Sequence, residues 1–388
     1  DSLFKNRPEE SKIINPISVE KEKQIENNNS KSVQSKPTQV DYSNEVNEKK
    51  ETIKKLVKDS NKILLEDTKN QFNSFDESIP PIEQPIAFIY ASANIGKYAI
   101  ETSNIAMTYL VNKNSKFQLE FFDIGNESKE NIIAIFDQLA DKKIKKVICM
   151  FTTNSMWIVN SYPNISSFNI YFPLIHKTSV SSAKPNYIFG GIDYTKQFEY
   201  FASRAKNNLV EIYDGSTISK SLHEKLLKLN LPNIKYVELK GENPNYSILY
   251  PKSNGINNAT VILNTSVVRS AIILALLRGQ GINPDQVFAT QLNYTPLIFN
   301  LTQEEDRANL YVANSIALLP RDLEELITFY GDDPIFSWIN YSTLLGLEYF
   351  MTKKTKLFGN IEIAKNQVNY PIKLYGFEGT KFIDVTKK

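Results

Sequence analysis

Few side chains in this sequence could carry out acid–base, nucleophilic or metal chemistry. The chain of 388 residues has two histidines, His176 and His223, and one cysteine, Cys149. A Ser-His-Asp triad would require one of these histidines, and a zinc site built from His and Cys requires more ligands than the chain supplies. His223 falls among leucines of a predicted helix. Cys149 falls within a predicted strand, where a free thiol usually packs as an inert group. There is no Walker A or Gly-x-Gly-x-x-Gly motif. We therefore expect no catalytic residue, no metal and no cofactor, and hence a protein that is not an enzyme.

The charges of the chain nearly cancel. Lys and Arg number 45 against 43 Asp and Glu, for a net charge of +2, whereas nucleic-acid-binding proteins usually carry a concentrated basic excess. The longest uninterrupted apolar run, 271–277, is far too short to cross a bilayer. The sequence begins at Asp1 without Met or an apolar leader, and we expect that a signal peptide or lipid anchor has been removed. We expect no nucleic-acid partner and no membrane span in this chain.

Residues 1–80 differ in composition from the rest of the chain. They contain four of the 44 aromatic residues, no glycine, and 14 basic against 15 acidic residues. So little apolar surface cannot offset the entropy of ordering, and we expect an extended or disordered tail. Within it, 45–70 carries a roughly helical apolar stripe. Two interpretations of that predicted helix stay open: it packs on its own domain, or it binds a partner or acts as a spacer.

From residue 85 onward, short apolar runs alternate with amphipathic stretches. The first unit has predicted strands at 86–90, 117–122, 147–151 and 169–173, with helices at 98–111, 131–140 and 156–162. The pattern is interrupted at 187–191 and then restarts, with strands at 209–213, 234–239, 261–263 and 287–290 and helices at 198–205, 219–229 and 267–277. Continuously apolar strands separated by helices predict parallel sheets covered on both faces. The segment 311–388 mixes helices and strands and can complete both units.

Several short segments, taken in order, can be compared with known folds. Leu119-Glu120-Phe121-Phe122-Asp123 is a strand ending in Asp, and Lys145 to Ser155 is a strand followed by a Ser/Thr-rich turn. The other segments are Ile86 to Leu110, Ile170 to Pro173, Tyr187 to Phe189 with Asp193 to Gln197, Trp338 to Leu347, and Gly376 to Val385. Together, over residues 85–388, they resemble the type I periplasmic binding proteins, in particular the branched-chain amino-acid-binding family.

The resemblance implies two α/β lobes, each a parallel sheet flanked by helices, joined by a hinge of three crossings. Lobe 1 would comprise 85–193 and 315–355, and lobe 2 would comprise 194–314 and 356–388. The N-terminal segment 1–80 would be a disordered or helical extension. Ligands of such sheets lie beyond the carboxyl ends of the strands, which here means the cleft between the lobes.

The resemblance also implies a set of candidate ligand-binding residues. Proteins of this family hold an amino acid's carboxylate with hydroxyls and backbone N–H groups after the third and fourth strands, and helix N-termini favour an anion there. Ser, Thr, Asn and Asp at such positions can equally serve only as helix caps, so both interpretations stay open. The positions that match these two loops are Thr153, Asn154, Ser155, Lys177, Thr178 and Ser179. The other candidates are Ser92 and Asn94, which follow the first strand, and Asp214, Asn264 and Thr265, which lie at the ends of strands in lobe 2.

Three segments depart from the family pattern. The turn after the first strand, 91–97, keeps only Gly96 of the usual Gly-rich turn. The loop Leu174-Ile175-His176-Lys177 is bulkier than the small residues usual there. The segment 358–364 has diverged from the usual Gly-rich hairpin. A retained fold with a diverged site is typical of a binding module reused for protein contacts.

Two functions of different classes follow. The first is a non-enzymatic periplasmic scaffold or activator in a cell-envelope assembly of a Gram-negative bacterium, in peptidoglycan synthesis or around a flagellar motor. The C-terminal domain of the lipoprotein activators of penicillin-binding proteins resembles this fold. The alternative is a solute-binding receptor of an ABC transporter for an amino acid or small anion held in the cleft. We favour the scaffold, with the tail contacting other envelope proteins, because transport receptors begin close to their first strand.

Overall fold

The computed structural model describes residues 85–112, 118–329, 331–333 and 335–387. The predicted tail at 1–80 and its helix at 45–70 lie outside these residues. The strands, in chain order, are β1 Ile86–Tyr90, β2 Leu119–Asp123, β3 Lys146–Met150, β4 Asn169–Phe172, β5 Tyr187–Phe189, β6 Leu209–Asp214, β7 Lys235–Leu239, β8 Thr260–Asn264, β9 Gln286–Ala289, β10 Leu310–Asn314, β11 Glu362–Ala364, β12 Gln367–Asn369, β13 Lys373–Glu378 and β14 Lys381–Asp384.

Helices connect most of the parallel strands. In chain order the described α-helices are α1 Ser92–Ile95, α2 Lys97–Asn112, α3 Lys129–Asp141, α4 Met156–Ser161, α5 Tyr194–Arg204, α6 Thr217–Leu227, α7 Val267–Gly279, α8 Leu297–Leu301, α9 Arg321–Phe329 and α10 Trp338–Thr352. A serine or aspartate often caps the N-terminus of these helices. Before α3, for example, the Ser128 side chain accepts a hydrogen bond from the Asn131 N–H. Among the described residues, no helix is both long and apolar enough to span a membrane.

The strands form two seven-stranded sheets. The first has the order β11-β12-β5-β4-β3-β1-β2 and the second β14-β13-β10-β9-β8-β6-β7. The first five strands of each unit pair in parallel, and the antiparallel pairs are β11–β12, β10–β13 and β13–β14. The predicted class, two α/β lobes built on parallel sheets, is confirmed.

Successive side chains of a strand point to opposite faces of its sheet, and in both sheets each face is buried. In β1, Ile86 and Phe88 pack with α2 and α10, whereas Ala87 and Ile89 pack with α3. The second sheet is covered by α7 and α8 on one face and by α5 and α6 on the other. This double burial explains why the strands are almost uninterrupted runs of apolar residues.

The chain changes sheet three times: after β5, after β10 and after β12. This places β11 and β12 in the first sheet, since Gln367 pairs with Phe189 of β5. The sequence had assigned all of 356–388 to lobe 2. The structure divides that segment, because the short hairpin extends the open edge at β5, and only β13 and β14 join the second sheet. The interruption predicted at 187–191 is itself a strand, β5.

Side chains at these crossings hold the two lobes together. Trp338 and Tyr370 each pack against a core of the first lobe and a core of the second. The Tyr370 hydroxyl donates to the Gly190 carbonyl oxygen at 2.6 Å. The Gln197 side-chain amide donates to Ser315 Oγ at 2.9 Å, joining two of the crossing segments.

The contact between α10 and β4 gives a test of this packing. A Cβ on Gly346 would overlap the buried Tyr171 ring, so Gly346→Ala should lower the free energy of unfolding by about 1–3 kcal/mol. The better helix propensity of Ala offsets at most about 1 kcal/mol of this. Gly279→Ala, at the end of α7 where a Cβ meets open space, is the matched control. Urea denaturation measures both, and equal effects would contradict the packing described.

Candidate functional site

The candidate residues follow the carboxyl ends of the strands in both sheets. In each sheet the first strand has its two successors on opposite sides, with β1 between β2 and β3 and β6 between β7 and β8. The connections on the two sides of the first strand therefore run over opposite faces of the sheet. A crevice forms between them at the carboxyl end of the first strand, where ligands of α/β sheets usually bind.

An internal carboxylate takes the hydrogen-bond donors at the end of β3. The Thr152 N–H donates to Glu127 Oε1 at 2.8 Å, and the Thr152 hydroxyl donates to Glu127 Oε2 at 2.6 Å. Burial raises the pKa of Glu127, and the bonds from Thr152 and Ser155 oppose that rise. A second carboxylate beside this one would meet like charge instead of free donors.

The three candidates that follow Thr152 point in different directions. Thr153–Ser155 forms a short 3-10 turn before α4. Ser155 is buried and its hydroxyl donates to the Thr152 carbonyl oxygen at 3.0 Å. Asn154 is exposed and Thr153 is half-buried. Only Thr153 and Asn154 therefore present side chains to solvent.

The candidates after β1 stabilise neighbouring loops. The Ser92 N–H donates to Asp123 Oδ1 at 3.1 Å, and Asn94 Oδ1 accepts the Glu127 N–H at 3.2 Å. Although burial opposes the change, hydrogen bonds from Gly125 and Ser92 lower the pKa of Asp123. Both candidates thus help to position the loop that carries Glu127.

The candidates after β4 contact the rest of the protein. The Lys177 N–H donates to Gln367 Oε1 at 2.8 Å, and Lys177 Nζ donates to the Lys365 carbonyl oxygen at 2.6 Å. Thr178 Oγ1 lies 2.8 Å from His176 Nδ1. Lys177 is therefore hydrogen-bonded to the β11–β12 hairpin, and the Thr178 side chain contacts His176 of its own loop.

This loop also meets the second lobe. His176 Nε2 lies 3.4 Å from Asp193 Oδ2, just before α5, and Lys225 Nζ of α6 donates to Ser179 Oγ at 3.5 Å. Burial lowers the pKa of His176, and Asp193 opposes that change. Burial also lowers the pKa of Lys225. Polar contacts thus bridge the lobes at this end of the crevice.

In the second lobe, Asp214 is paired internally. It is buried and lies 3.1 Å from Arg269 Nη1, measured from Oδ2. Its Oδ1 accepts the Ser216 N–H at 2.8 Å. The Asp214 carboxylate thus neutralises the charge of Arg269 and caps the turn before α6. The ammonium group of a ligand would have to compete with this ion pair.

Asn264 and Thr265 are fully buried. Asn264 Nδ2 donates to Glu211 Oε1 at 2.6 Å, and Glu211 Oε2 lies 2.6 Å from His223 Nδ1. The His223 ring stacks on Tyr213 with a centroid distance of 3.8 Å. Thr265 Oγ1 lies 2.8 Å from Ser270 Oγ. These side chains join strands and helices of the second lobe and are covered from solvent.

The sequence analysis missed two groups of polar residues. Glu127 follows β2 in a loop of polar residues, and nothing local distinguishes it from a solvated side chain. At the ends of β9 and β10, Gln291 Nε2 donates to Asn314 Oδ1 at 3.0 Å, and Gln291 Oε1 accepts the Ser315 N–H at 2.6 Å. Polar residues directly after buried strands were the signal that could have identified this second group.

Two candidates do share a pocket. A cavity of about 450 Å³ lies on the first lobe, and Thr153 and Ser179 are among the residues lining it. The other candidates do not converge on it. Across the described part of the chain, no group of three or more His, Cys, Asp or Glu side chains is placed to hold a metal ion.

Comparison with known proteins finds similarity in structure only. No protein-family model matches the chain, and no curated protein matches it in sequence. A Rhodospirillum rubrum protein assigned to a branched-chain amino acid ABC transporter superposes with a TM-score of 0.58 and 11% identity, covering 78% of this chain and 100% of that one. The C-domain of Haemophilus influenzae LpoA, described as a regulator of PBP1A, superposes with a TM-score of 0.56 and 14% identity. The match covers 78% of this chain and 99% of the LpoA C-domain.

Full-length Haemophilus influenzae LpoA gives a TM-score of 0.56 at 12% identity, with 78% of this chain covered and 59% of LpoA. This chain therefore matches little more than half of that protein. At such identities the similarity shows the fold alone. The chain has the type I periplasmic-binding-protein-like fold, as the sequence predicted.

Glu211 provides a pH test of the buried polar cluster. Burial raises its pKa above the ordinary value of 4.5, while bonds from Asn264 and His223 oppose the rise. A carboxyl group whose pKa is raised by folding contributes stability at low pH, and that stability is lost as pH rises through the folded pKa. Glu211→Gln cannot ionise, so its free energy of unfolding relative to the unmodified protein should increase from pH 4.5 to pH 7.

Denaturant titrations at several pH values measure this difference. Glu199→Gln, an exposed residue of α5, makes the same charge change at the surface and serves as the control. A relative stability of Glu211→Gln that falls with rising pH would show that the bonds from Asn264 and His223 outweigh burial.

Proposed function

We propose that this protein is a non-enzymatic periplasmic scaffold or activator in a cell-envelope assembly, working in peptidoglycan synthesis or in the periplasmic structure of a flagellar motor. The observation that carries the proposal is the internal use of the polar groups along the crevice. Glu127 accepts both donors of Thr152, and Arg269 pairs with Asp214.

A solute receptor needs donors and acceptors that are free until the ligand arrives. Here a carboxylic ligand at the end of β3 would have to displace Glu127, which makes bonds of 2.8 and 2.6 Å. Displacement would leave a half-buried carboxylate without its partners, at a cost of about 1–3 kcal/mol or more. The internal carboxylate therefore opposes binding of an amino acid at this position.

The contacts between the lobes also support a scaffold. Receptors of this architecture enclose their ligands by hinged closure of the lobes. In this protein Trp338 and Tyr370 pack against cores of both lobes, and Tyr194, at the first crossing, is buried. Opening the crevice would expose these aromatic surfaces to water, which favours a single arrangement of the lobes.

The named structures show that this fold serves both kinds of role. The LpoA C-domain is described as a regulator of PBP1A, and the Rhodospirillum rubrum protein is assigned to an amino acid transporter. We propose that the present chain, like the LpoA C-domain, acts through contacts with other proteins. We also propose that residues 1–80 contribute to those contacts. A composition poor in apolar residues suits a segment that orders on a partner's surface.

One observation favours the alternative, a solute-binding receptor. Thr153 and Ser179, which match the family's ligand loops, both line the 450 Å³ pocket. A small amino acid or anion held there would use these two hydroxyls. The pocket nevertheless involves no residue of the second lobe, so enclosure between the lobes would play no part.

A thermal-shift screen separates the two functions. Leucine, isoleucine, valine, glutamate, sulfate and phosphate should leave the melting temperature unchanged, because the N–H and the hydroxyl of Thr152 are already bonded to Glu127. A ligand at 100 times its Kd stabilises a protein by about 2.7 kcal/mol, an effect the screen detects. A concentration-dependent rise with one of these compounds, abolished by Thr153→Ala, would establish the receptor function instead.

Deleting residues 1–80 tests the scaffold directly. Chemical cross-linking in isolated cell envelopes should join the full-length chain to a peptidoglycan synthase or a motor component. The shortened chain should lose most of that product while keeping its melting temperature. Asn154→Ala, at an exposed position beside the crevice, should cross-link normally. If the shortened chain cross-links as well as the full-length chain, the tail has no part in the assembly.

A further inference from the structure

The pocket on the first lobe is an open depression built from one segment of the chain. Its volume is about 450 Å³, within the range of about 300–1,000 Å³ typical of small-molecule sites. It lies between α4 with its preceding turn and the segment 179–182, and every residue lining it falls within 153–182. All of the residues that line the site therefore belong to the first lobe.

One wall is an exposed indole. The side chain of Trp157 is 63% exposed, whereas its neighbour Met156 is 3% exposed and anchors α4 in the core. Because a Trp side chain can bury 150–250 Å², this exposure leaves on the order of 100 Å² of aromatic surface in water. Such a surface, fixed on a helix beside a pocket, is a preformed platform for a flat apolar face.

The other walls are hydroxyl and amide groups held in place. Among the lining residues are Asn160, Ser161, Ser181 and Ser182, and none of the lining residues carries a charge. Asn160 Nδ2 donates to the carbonyl oxygen and to the hydroxyl of Ser182, each at 3.0 Å. Asn160 Oδ1 accepts the Tyr187 hydroxyl at 2.9 Å. The polar wall is thus tied to the core.

Two lysine side chains from outside the pocket contact residues that line it. Lys225 Nζ donates to Ser179 Oγ at 3.5 Å, and Lys184 Nζ donates to the Asn160 carbonyl oxygen at 3.1 Å. No carboxylate lines the cavity to pair with an ammonium group, and no cation lines it to pair with a carboxylate. This chemistry disfavours a free amino acid and favours a neutral ligand rich in hydroxyls.

We propose that this pocket binds a neutral sugar residue of a glycan. The face of a pyranose ring that carries C–H groups would stack on Trp157. Its hydroxyls would exchange hydrogen bonds with Ser161, Ser181 and Ser182, since a hydroxyl both donates and accepts. The inference goes beyond the proposed scaffold function and does not depend on it, because the site lies within one lobe.

Titration with neutral oligosaccharides tests the proposal. Chitotetraose, cellotetraose and maltotetraose are added to the full-length protein, and binding is followed by calorimetry and by quenching of Trp fluorescence with iodide. At least one of them should bind and should protect the exposed Trp157 from iodide. If none binds at millimolar concentration, the pocket is not a glycan site.

Variants locate the binding. Trp157→Ala should weaken it at least tenfold and Ser181→Ala about threefold, whereas Ile100→Ala, at an apolar residue that is 68% exposed on α2 of the same lobe, should bind normally. Because Trp157 is at the surface, its replacement should keep the melting temperature, which checks folding. Oligosaccharide binding that survives Trp157→Ala would overturn the proposal. Protection of Trp157 by a protein partner alone, with all three sugars inactive, would assign the surface to a protein contact.

Discussion

The return of α10 to the first lobe is the contact on which the architecture depends. The Tyr171 hydroxyl of β4 donates to the Ser342 carbonyl oxygen at 2.8 Å, and Ser342 Oγ donates to the Gly190 carbonyl oxygen at 2.9 Å. Gly346, one turn further along, lets the Tyr171 ring lie against the helix backbone. A segment that follows the whole parallel part of the second sheet thus completes the core of the first. With α10 in the first lobe and β13 and β14 in the second sheet, the chain crosses between the lobes three times.

The crevice follows from the same constraint. Several polar groups at the ends of the strands are bonded to other side chains of the protein. Buried polar groups are almost always bonded within the protein or to water. In this chain Thr152 is bonded to Glu127 and Asn264 is bonded to Glu211. Asp214 forms an ion pair with Arg269. Among the residues that the family resemblance assigns to a ligand, Asp214 and Asn264 thus make hydrogen bonds or ion pairs within the second lobe.

Much of the fold could be predicted from the sequence, because strands buried on both faces must be continuously apolar. The segments at 86–90 and 261–263 show this directly. The β11–β12 hairpin could not be assigned in the same way, since three-residue edge strands carry little pattern. The role of Glu127 was likewise hidden, because its partner Thr152 lies 25 residues further along the chain. The family resemblance named Thr153 and Ser179 as candidates for the cleft between the lobes, and both line a pocket on the first lobe. The exposure of Trp157 depends on the tertiary structure.

The late crossing between β12 and β13 also governs when the molecule can mature. Residues 362–369 supply an edge to the first sheet and residues 373–384 supply an edge to the second. The first sheet therefore lacks strands until residue 369 has been synthesised, and the second sheet lacks strands until residue 384 has been synthesised. Domains whose contacts are local fold in order as they are synthesised, but in this body both sheets depend on residues 362–384. A chain that stopped before residue 362 would therefore leave two incomplete lobes instead of one finished lobe and one missing lobe.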